Sequence, residues 1–294
     1  MKKIELNKLS DCIQVTVDGK VITNYFYSAK FPRPFLYPVL DPYGNCITRN
    51  FPMQAIEGET NDHPHHRSMW TAYGNVNGVD DWSEEAGHGN IVHKDFLELH
   101  DGEIAQITSI NHWVSDQDVK IMEEEREIRI QTLDNDEKIF DFRITFKATQ
   151  NAVKFGDTKE GGIISVRVAT SMDGSKGGTI ENSNGGVGEK QCWGKRAKWC
   201  DYYGNVANNI VGVAIFDHTQ NLRHPAYWHV RDYGLFTANI FGLSAFENNP
   251  GKKGDFIMEK YNSLKFKFRV LIHKGTAKEA ELEKKYGEFI KERG

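Results

Sequence analysis

The sequence predicts an all-β protein, an antiparallel β-sandwich or supersandwich with one C-terminal helix. Three observations point there. Apolar and polar residues alternate over several segments, which sets every second side chain on one face of a sheet. Turn formers rather than helical spacers join these segments: Pro42-Tyr43-Gly44-Asn45, Asn77-Gly78, Asp101-Gly102, Asp134-Asn135 and Asn184-Gly185. Strands joined by short turns pair antiparallel, whereas alternating strands and helices would imply a parallel sheet. Only the C-terminus carries a helical stripe.

In chain order, Ile13, Val15 and Val17 alternate with Gln14 and Thr16. An Asp18-Gly19 turn and a β-rich run from Val21 to Tyr25 complete a hairpin signature. Ile128 and Ile130 stand opposite Glu127, Arg129 and Gln131, and Phe140, Phe142, Ile144 and Phe146 opposite Asp141, Arg143, Thr145 and Lys147. The stretch 157–204 is rich in Gly, Asn and Lys and is expected to be a long functional or mobile loop, broken by short strand-like pieces such as 163–168. Leu264, Phe266, Phe268, Val270 and Ile272 against Lys265, Lys267 and Arg269 give the clearest half-buried strand. Thr276 and Glu279 have capping-box spacing ahead of Leu282, Tyr286, Phe289 and Ile290, which predicts a helix over about 276–292. No repeat or Pro- or Ser-rich linker divides the chain, so residues 1–294 are expected to form one domain.

Composition excludes several classes of function. With 37 Lys plus Arg against 41 Asp plus Glu the formal charge is -4, and a basic surface for nucleic acid is not expected. No run approaches the about 18 apolar residues that span a bilayer, and the mean hydropathy is -0.57, so no membrane partner is expected. The opening residues lack the apolar core of a secretory signal, which makes a cytoplasmic location the expectation. Cys12, Cys46, Cys192 and Cys200 form no C-x-x-C pair and read as free thiols.

Histidines carry the strongest chemical signal. Five of 11 fall between His63 and His93, three of them in Asp62-His63-Pro64-His65-His66-Arg67. In an extended segment His63 and His65 would share one face, while His66 and Arg67 diverge. Imidazole serves as acid, base or metal ligand near neutral pH. Downstream lie Trp70, Asn77, Trp82, Glu84, Glu85, His88 and His93, a mixture of carboxylates for proton transfer and indoles for stacking on a sugar ring. A second dense region runs from His224 to Gly234. Along a strand His229 and Arg231 share a face, with Trp228 and Val230 on the other, and Arg231 is suited to bind a carboxylate or hydroxyl-rich group. A third, Cys192 to Tyr203, mixes aromatics with Lys195, Arg196 and Lys198, as a ligand rim or a lysine-guarded strand edge would.

Four segments resemble a known family: Arg33-Pro-Phe-Leu-Tyr-Pro-Val-Leu40, Asp62-His-Pro-His-His-Arg-Ser-Met-Trp70, Gly74-Asn-Val-Asn-Gly-Val-Asp80 and the run from Trp228 to Asn239. Over Tyr25 to His273 the chain is similar to a bacterial and archaeal family of unknown function often labelled methane oxygenase PmoA. Methane oxidation itself is not expected, because its particulate enzyme is membrane-embedded and no spanning segment is present. The resemblance implies a fold similar to the galactose mutarotase-like supersandwich, with a ligand groove on the concave sheet where His, Arg, Trp and carboxylates converge. Some relatives read Asn-Pro-Phe-Gly where this chain has Asn239-Ile240-Phe241-Gly242.

The expected function is that of a carbohydrate-active enzyme without a cofactor, taking a small-molecule or oligosaccharide ligand. His65, His66, Glu84, Glu85 and His229 are its candidate acid-base residues, and Arg67, Trp70, Asn77, Trp82, His88, Trp228 and Arg231 its substrate contacts. Two alternatives stay open. One is a divalent-metal enzyme with His63, His65 and His93, or with His88 or His229, as ligands; the other is a non-catalytic sugar-binding protein. A homo-oligomer is compatible with either.

Overall fold

Leu264, Phe266, Phe268 and Val270 stand directly across a ladder from Phe146, Ile144, Phe142 and Phe140. The two most regular alternations in the sequence therefore pair with one another. The computed structural model describes residues 2–292. In chain order its strands are β1 (Ile4–Lys8), β2 (Cys12–Val17), β3 (Lys20–Phe26), β4 (Phe35–Leu36), β5 (Met69–Tyr73) and β6 (Asn90–His100). The middle of the chain supplies β7 (Ile104–Val114), β8 (Lys120–Thr132), β9 (Lys138–Lys147), β10 (Val153–Phe155), β11 (Gly161–Arg167) and β12 (Thr179–Asn182). The last third adds β13 (Trp199–Val206), β14 (Asn209–Asp217), β15 (Tyr227–Val230), β16 (Leu235–Asn239), β17 (Phe256–Met258) and β18 (Ser263–Lys274).

All pairings are antiparallel. One eight-stranded sheet has the order β1-β2-β3-β4-β5-β11-β16-β15, and a second has the order β12-β13-β14-β18-β9-β8-β7-β6. Their inner faces meet over a core that joins Val15, Tyr25, Val166 and Phe236 of the first sheet to Ile107, Ile128, Phe142 and Phe268 of the second. The architecture is thus the antiparallel β-sandwich that alternation predicts, with the expected Asp18-Gly19 turn between β2 and β3. Among the described residues no helix is long and apolar enough to cross a membrane.

Two expectations change. The strand-like piece expected at 163–168 is β11, but the stretch 157–204 around it is not one long loop, since it also contains β12 and the start of β13. Its glycines mislead: a Cβ at Gly162 would lie 1.7 Å from Thr237 Oγ1, so this glycine serves a close approach of β16 beside a β-bulge. The C-terminal helix is also shorter than predicted. Thr276 and Glu279 do form their reciprocal bonds, with the Thr276 N–H donating to Glu279 Oε2 (2.9 Å) and the Glu279 N–H to Thr276 Oγ1 (3.3 Å). They cap only a turn, because Glu281 adopts a left-handed φ of 52° and the helix proper spans Leu282–Phe289. Its Leu282, Tyr286 and Phe289 pack on Trp199, Phe216 and Leu271, covering the outer face of the second sheet.

Candidate functional site

Cross-strand register places Trp70, Ser165, Thr237 and His229 side by side on β5, β11, β16 and β15. Their neighbours Val166, Phe236 and Val230 fill the sandwich core, so this row lies on the opposite face of the first sheet. The row is tied together by Ser165 Oγ and Thr237 Oγ1, 2.7 Å apart, and by Thr237 donating to the Ile164 carbonyl (3.0 Å). It forms a floor. Over it fold the loop before β5, with the histidine cluster, and the loop after β5, with Asp80 to Glu85.

Three buried arginines hold the histidine loop by its carbonyls and its one carboxylate. Arg49 donates to the carbonyl of His63 (2.9 Å) and to Asp62, Arg33 donates to the carbonyl of His65 (3.1 Å), and Arg167 donates to Asp62 Oδ1 (2.8 Å). Burial opposes the ionised form of Asp62, but Arg167, His63 and Arg49 outweigh it and hold the carboxyl below its usual range. The loop is therefore not extended, as its spacing suggested. His63 takes a left-handed φ of 42° and its carbonyl accepts the N–H of His66 (3.0 Å), which closes a turn. The turn lays the His63 ring flat on His66, at 4.8 Å and 4°. Tyr233 is also parallel to His63 (5.0 Å, 8°) and lies 6.5 Å from His66 at 10°, and Trp70 stacks on His66 (5.4 Å, 24°).

Hydrogen bonds settle which nitrogen carries the proton on two of these rings. The Nδ1 of His229 lies 2.8 Å from the carbonyl oxygen of Lys159, which can only accept, so Nδ1 is protonated and Nε2 carries the lone pair. At His66 the neighbour is Arg167 Nη1, 3.1 Å from Nδ1; a guanidinium only donates, so the proton is on Nε2. Burial keeps both rings neutral. It lowers His229 to about 4 against the opposing Glu160 carboxylate, and with His65 and Arg167 it pushes His66 well below the ordinary imidazole value. Burial, Arg33 and His63 bring His65 to about 4 as well.

These rings line one cavity of about 480 Å³ together with Trp82, Glu85, Lys159, Glu160, Arg231 and Tyr233. That size lies within the ~300–1,000 Å³ usual for small-molecule sites. Its two cations are paired, Lys159 with Glu160 and Arg231 Nε with Glu189 Oε1 at 3.0 Å, and the carboxylates of Asp80 and Glu85 line it as well. The cavity thus presents neutral imidazoles, one an N–H donor and one an acceptor, ringed by charged groups that a polar ligand can engage.

The sequence-predicted residues divide. His63, His65, His66, Trp82, Glu85, His229 and Arg231 reach this cavity, although 166 positions separate His65 from Arg231. Seven others do not line it. Trp70 lies within the floor, and Trp228 faces the core with its indole N–H donating to the Ala197 carbonyl (2.9 Å). Trp82 itself is only 2% exposed, so none of the three indoles offers an open stacking face. Arg67 is held by Glu84 in a two-pronged pair (2.9 and 2.7 Å), and Glu84 also lies 3.2 Å from Arg33. Asn77 sits in a turn, accepting the Lys154 N–H (2.7 Å), and His88 Nδ1 lies 2.6 Å from the Gly89 carbonyl. His93 is on β6 of the other sheet, against Tyr27 and Phe96, so the set His63, His65 and His93 is not assembled. Among the described residues no group of three or more His, Cys, Asp or Glu has a metal-holding arrangement.

Sequence reasoning missed Lys159, Glu160 and the arginine framework of Arg33, Arg49 and Arg167. For Lys159-Glu160 the available signal was a charged pair directly ahead of Gly161-Gly162 and an apolar run, as at the mouth of a strand. Arg33 opens a segment that the family resemblance singles out, but nothing in the local sequence around Arg33, Arg49 or Arg167 ties them to the histidine loop.

A model of a family of unknown function, DUF6807, matches residues 12–287. Nothing in this match links the chain to methane oxygenases. No curated protein matches. Among solved structures, the Slr1438 protein from Synechocystis sp. PCC 6803 is similar at 10% identity and a TM-score of 0.35, over 93% of this chain and 95% of that one. A galactose mutarotase related enzyme from Lactobacillus acidophilus is similar at 9% identity and a TM-score of 0.36, over 93% and 98%. A glycoside hydrolase family 97 enzyme from Pseudoalteromonas sp. strain K8 is similar at 11% identity and a TM-score of 0.33, over 92% of this chain but 33% of that one. Likenesses of this size decide neither fold nor activity.

Proposed function

We infer that this chain, which belongs to the DUF6807 family of unknown function, is an enzyme that binds a small hydroxyl-rich ligand, a sugar or glycoside, and moves protons on it with neutral imidazoles. One observation carries the reading: His66 and His229 line the same cavity with their protons fixed on opposite ring nitrogens. A bound hydroxyl or carbonyl oxygen takes a hydrogen bond from His66 Nε2, as a neutral imidazole can polarise a carbonyl without first being protonated. The lone pair of His229 Nε2 accepts from a hydroxyl on the other side. Glu160 favours the protonated form of His229, and this effect grows when a ligand group draws Lys159 away from it. Glu85 and His65, which line the cavity, complete a set of groups able to give or take a proton, and Arg231 and Lys159, on the same lining, bind ligand oxygens in this reading.

The test is a panel of free sugars and glycosides followed by proton NMR, for both binding and turnover. Wild-type protein is expected to convert at least one member. His66→Gln and His229→Gln are each expected to lower its turnover by roughly 10²-fold or more. Binding without conversion by the wild type would leave a sugar-binding protein, and full turnover in both variants would remove the imidazoles from the chemistry.

A further inference from the structure

Lys138 begins β9 and lines a second cavity, of about 420 Å³, that has no lining residue in common with the first. Its walls are the Asp18-Gly19 hairpin, the turn from Leu40 to Gly44 and the ends of β8 and β9. Lys138 is only 4% exposed. Its ammonium donates to the carbonyls of Asp41 (2.9 Å) and Asp136 (3.1 Å), which occupies two of its three N–H groups. Directly across the ladder stands Thr132, buried, with a hydroxyl that has no hydrogen-bond partner. Both side chains line the same space, so two donors with unused capacity face it from one pair of strands.

The lining charges balance, Lys2, Lys20 and Lys138 against Asp18, Asp41 and Asp136, so the two buried donors rather than net charge select an acceptor. Lys274 sits over the ring of Tyr43 (5.1 Å). Asp41 already receives the N–H groups of Tyr43 (2.8 Å) and Asn45 (2.9 Å), and Asp136 is paired with Lys2 (2.6 Å). We propose that this cavity binds a small oxyanion, a carboxylate or a phosphate monoester, held by the Lys138 ammonium and the Thr132 hydroxyl with Lys2 and Lys20 at its edge. The site is independent of the proposed sugar chemistry.

Burial lowers Lys138 to about 8, against the opposing Asp41 and Asp136 and with the help of Lys2 and Lys274. The group is therefore charged at pH 7 and neutral at pH 9. Oxyanion affinity follows that charge and falls as pH rises through 8.

Isothermal titration of the full chain with inorganic phosphate and, separately, with acetate tests the proposal. Saturable binding of one equivalent is expected at pH 7, weakened about tenfold or more at pH 9 and in Lys138→Met. Thr132→Val, which keeps the shape of the side chain, is expected to weaken it several-fold, and Lys20→Met, on the surface, about twofold to threefold. The last two variants stand in for Lys138→Met if that protein does not fold. Phosphate binding alone points to a phosphate monoester, acetate binding to a carboxylate. Absence of saturation with both anions, or affinities unchanged by pH and by Thr132→Val, overturns the proposal.

Discussion

Arg167 Nη1 stands 3.1 Å from Nδ1 of His66, and the same guanidinium donates through Nη2 to Asp62 at 2.8 Å. One side chain, rooted in a central strand, thus holds the histidine loop in place and sets the proton of its innermost ring. Arg167→Lys keeps the charge but loses the fork. It is expected to free the His66 tautomer, seen as a mixed population by nitrogen-15 NMR of the ring, and to lower turnover by roughly 10²-fold. A single Nε2-protonated form in the variant would show that Arg167 does not set it.

Stability is expected to fall with acid in the window set by the imidazoles. His65 and His229 titrate near 4 in the folded chain against about 6.5 when unfolded, and His66 is displaced in the same direction. Between these values the unfolded chain binds more protons, so stability is complete above about pH 6.5 and declines toward 4. For the buried His229 the loss is on the order of 3 kcal/mol. His273 has the opposite sign. Burial opposes its protonation, but Asp201 at 3.0 Å outweighs burial and raises it, so its contribution is present below about pH 6.5 and lost as pH rises. Urea midpoints from pH 7.5 to 4.5 measure the sum, and His229→Gln should flatten the curve. An unchanged slope would contradict the assignment.

Glu84 serves two arginines unequally. It lies 3.2 Å from the fully buried Arg33 and forms the two-pronged pair with the more accessible Arg67. Glu84→Gln leaves the Arg33 charge poorly compensated in the interior and is expected to cost about 3 kcal/mol or more. Arg67→Met, nearer to solvent, is expected to cost about 1 kcal/mol. Equal costs in urea denaturation would mean that Arg33 does not depend on Glu84.

Gly162 has no room to grow. Beside the Thr237 hydroxyl, an added Cβ would meet the Ala238 carbonyl at 2.8 Å. Gly162→Ala is expected to destabilise by about 3 kcal/mol or more, and Thr237→Ala in the same chain to recover only part of that. Full recovery would place the clash on the hydroxyl alone.

The strands of the second sheet were legible because one of their faces is wet, so burial writes itself as alternation in 120–132, 138–147 and 263–274. The strand β11 is buried at every position, so only its apolar part reads as strand-like, and the two glycines that open it read as loop. The histidine cluster was legible as chemistry but not as shape. Its turn depends on Arg33 and Arg49, which lie 32 and 14 residues ahead of the carbonyls they hold, and no local spacing encodes that. The indoles show the converse: Trp70, Trp82 and Trp228 have the composition of a sugar platform, yet buried area decided their place.

Tyr233, His63, His66 and Trp70 form one cluster of parallel or nearly parallel rings. A planar group packed against its neighbours loses its torsional freedom when the chain folds, not when a guest arrives. The wall this cluster makes is a finished mould. Occupied and empty forms should therefore superpose closely here, and the entropic penalty of association should fall on the guest rather than on the host.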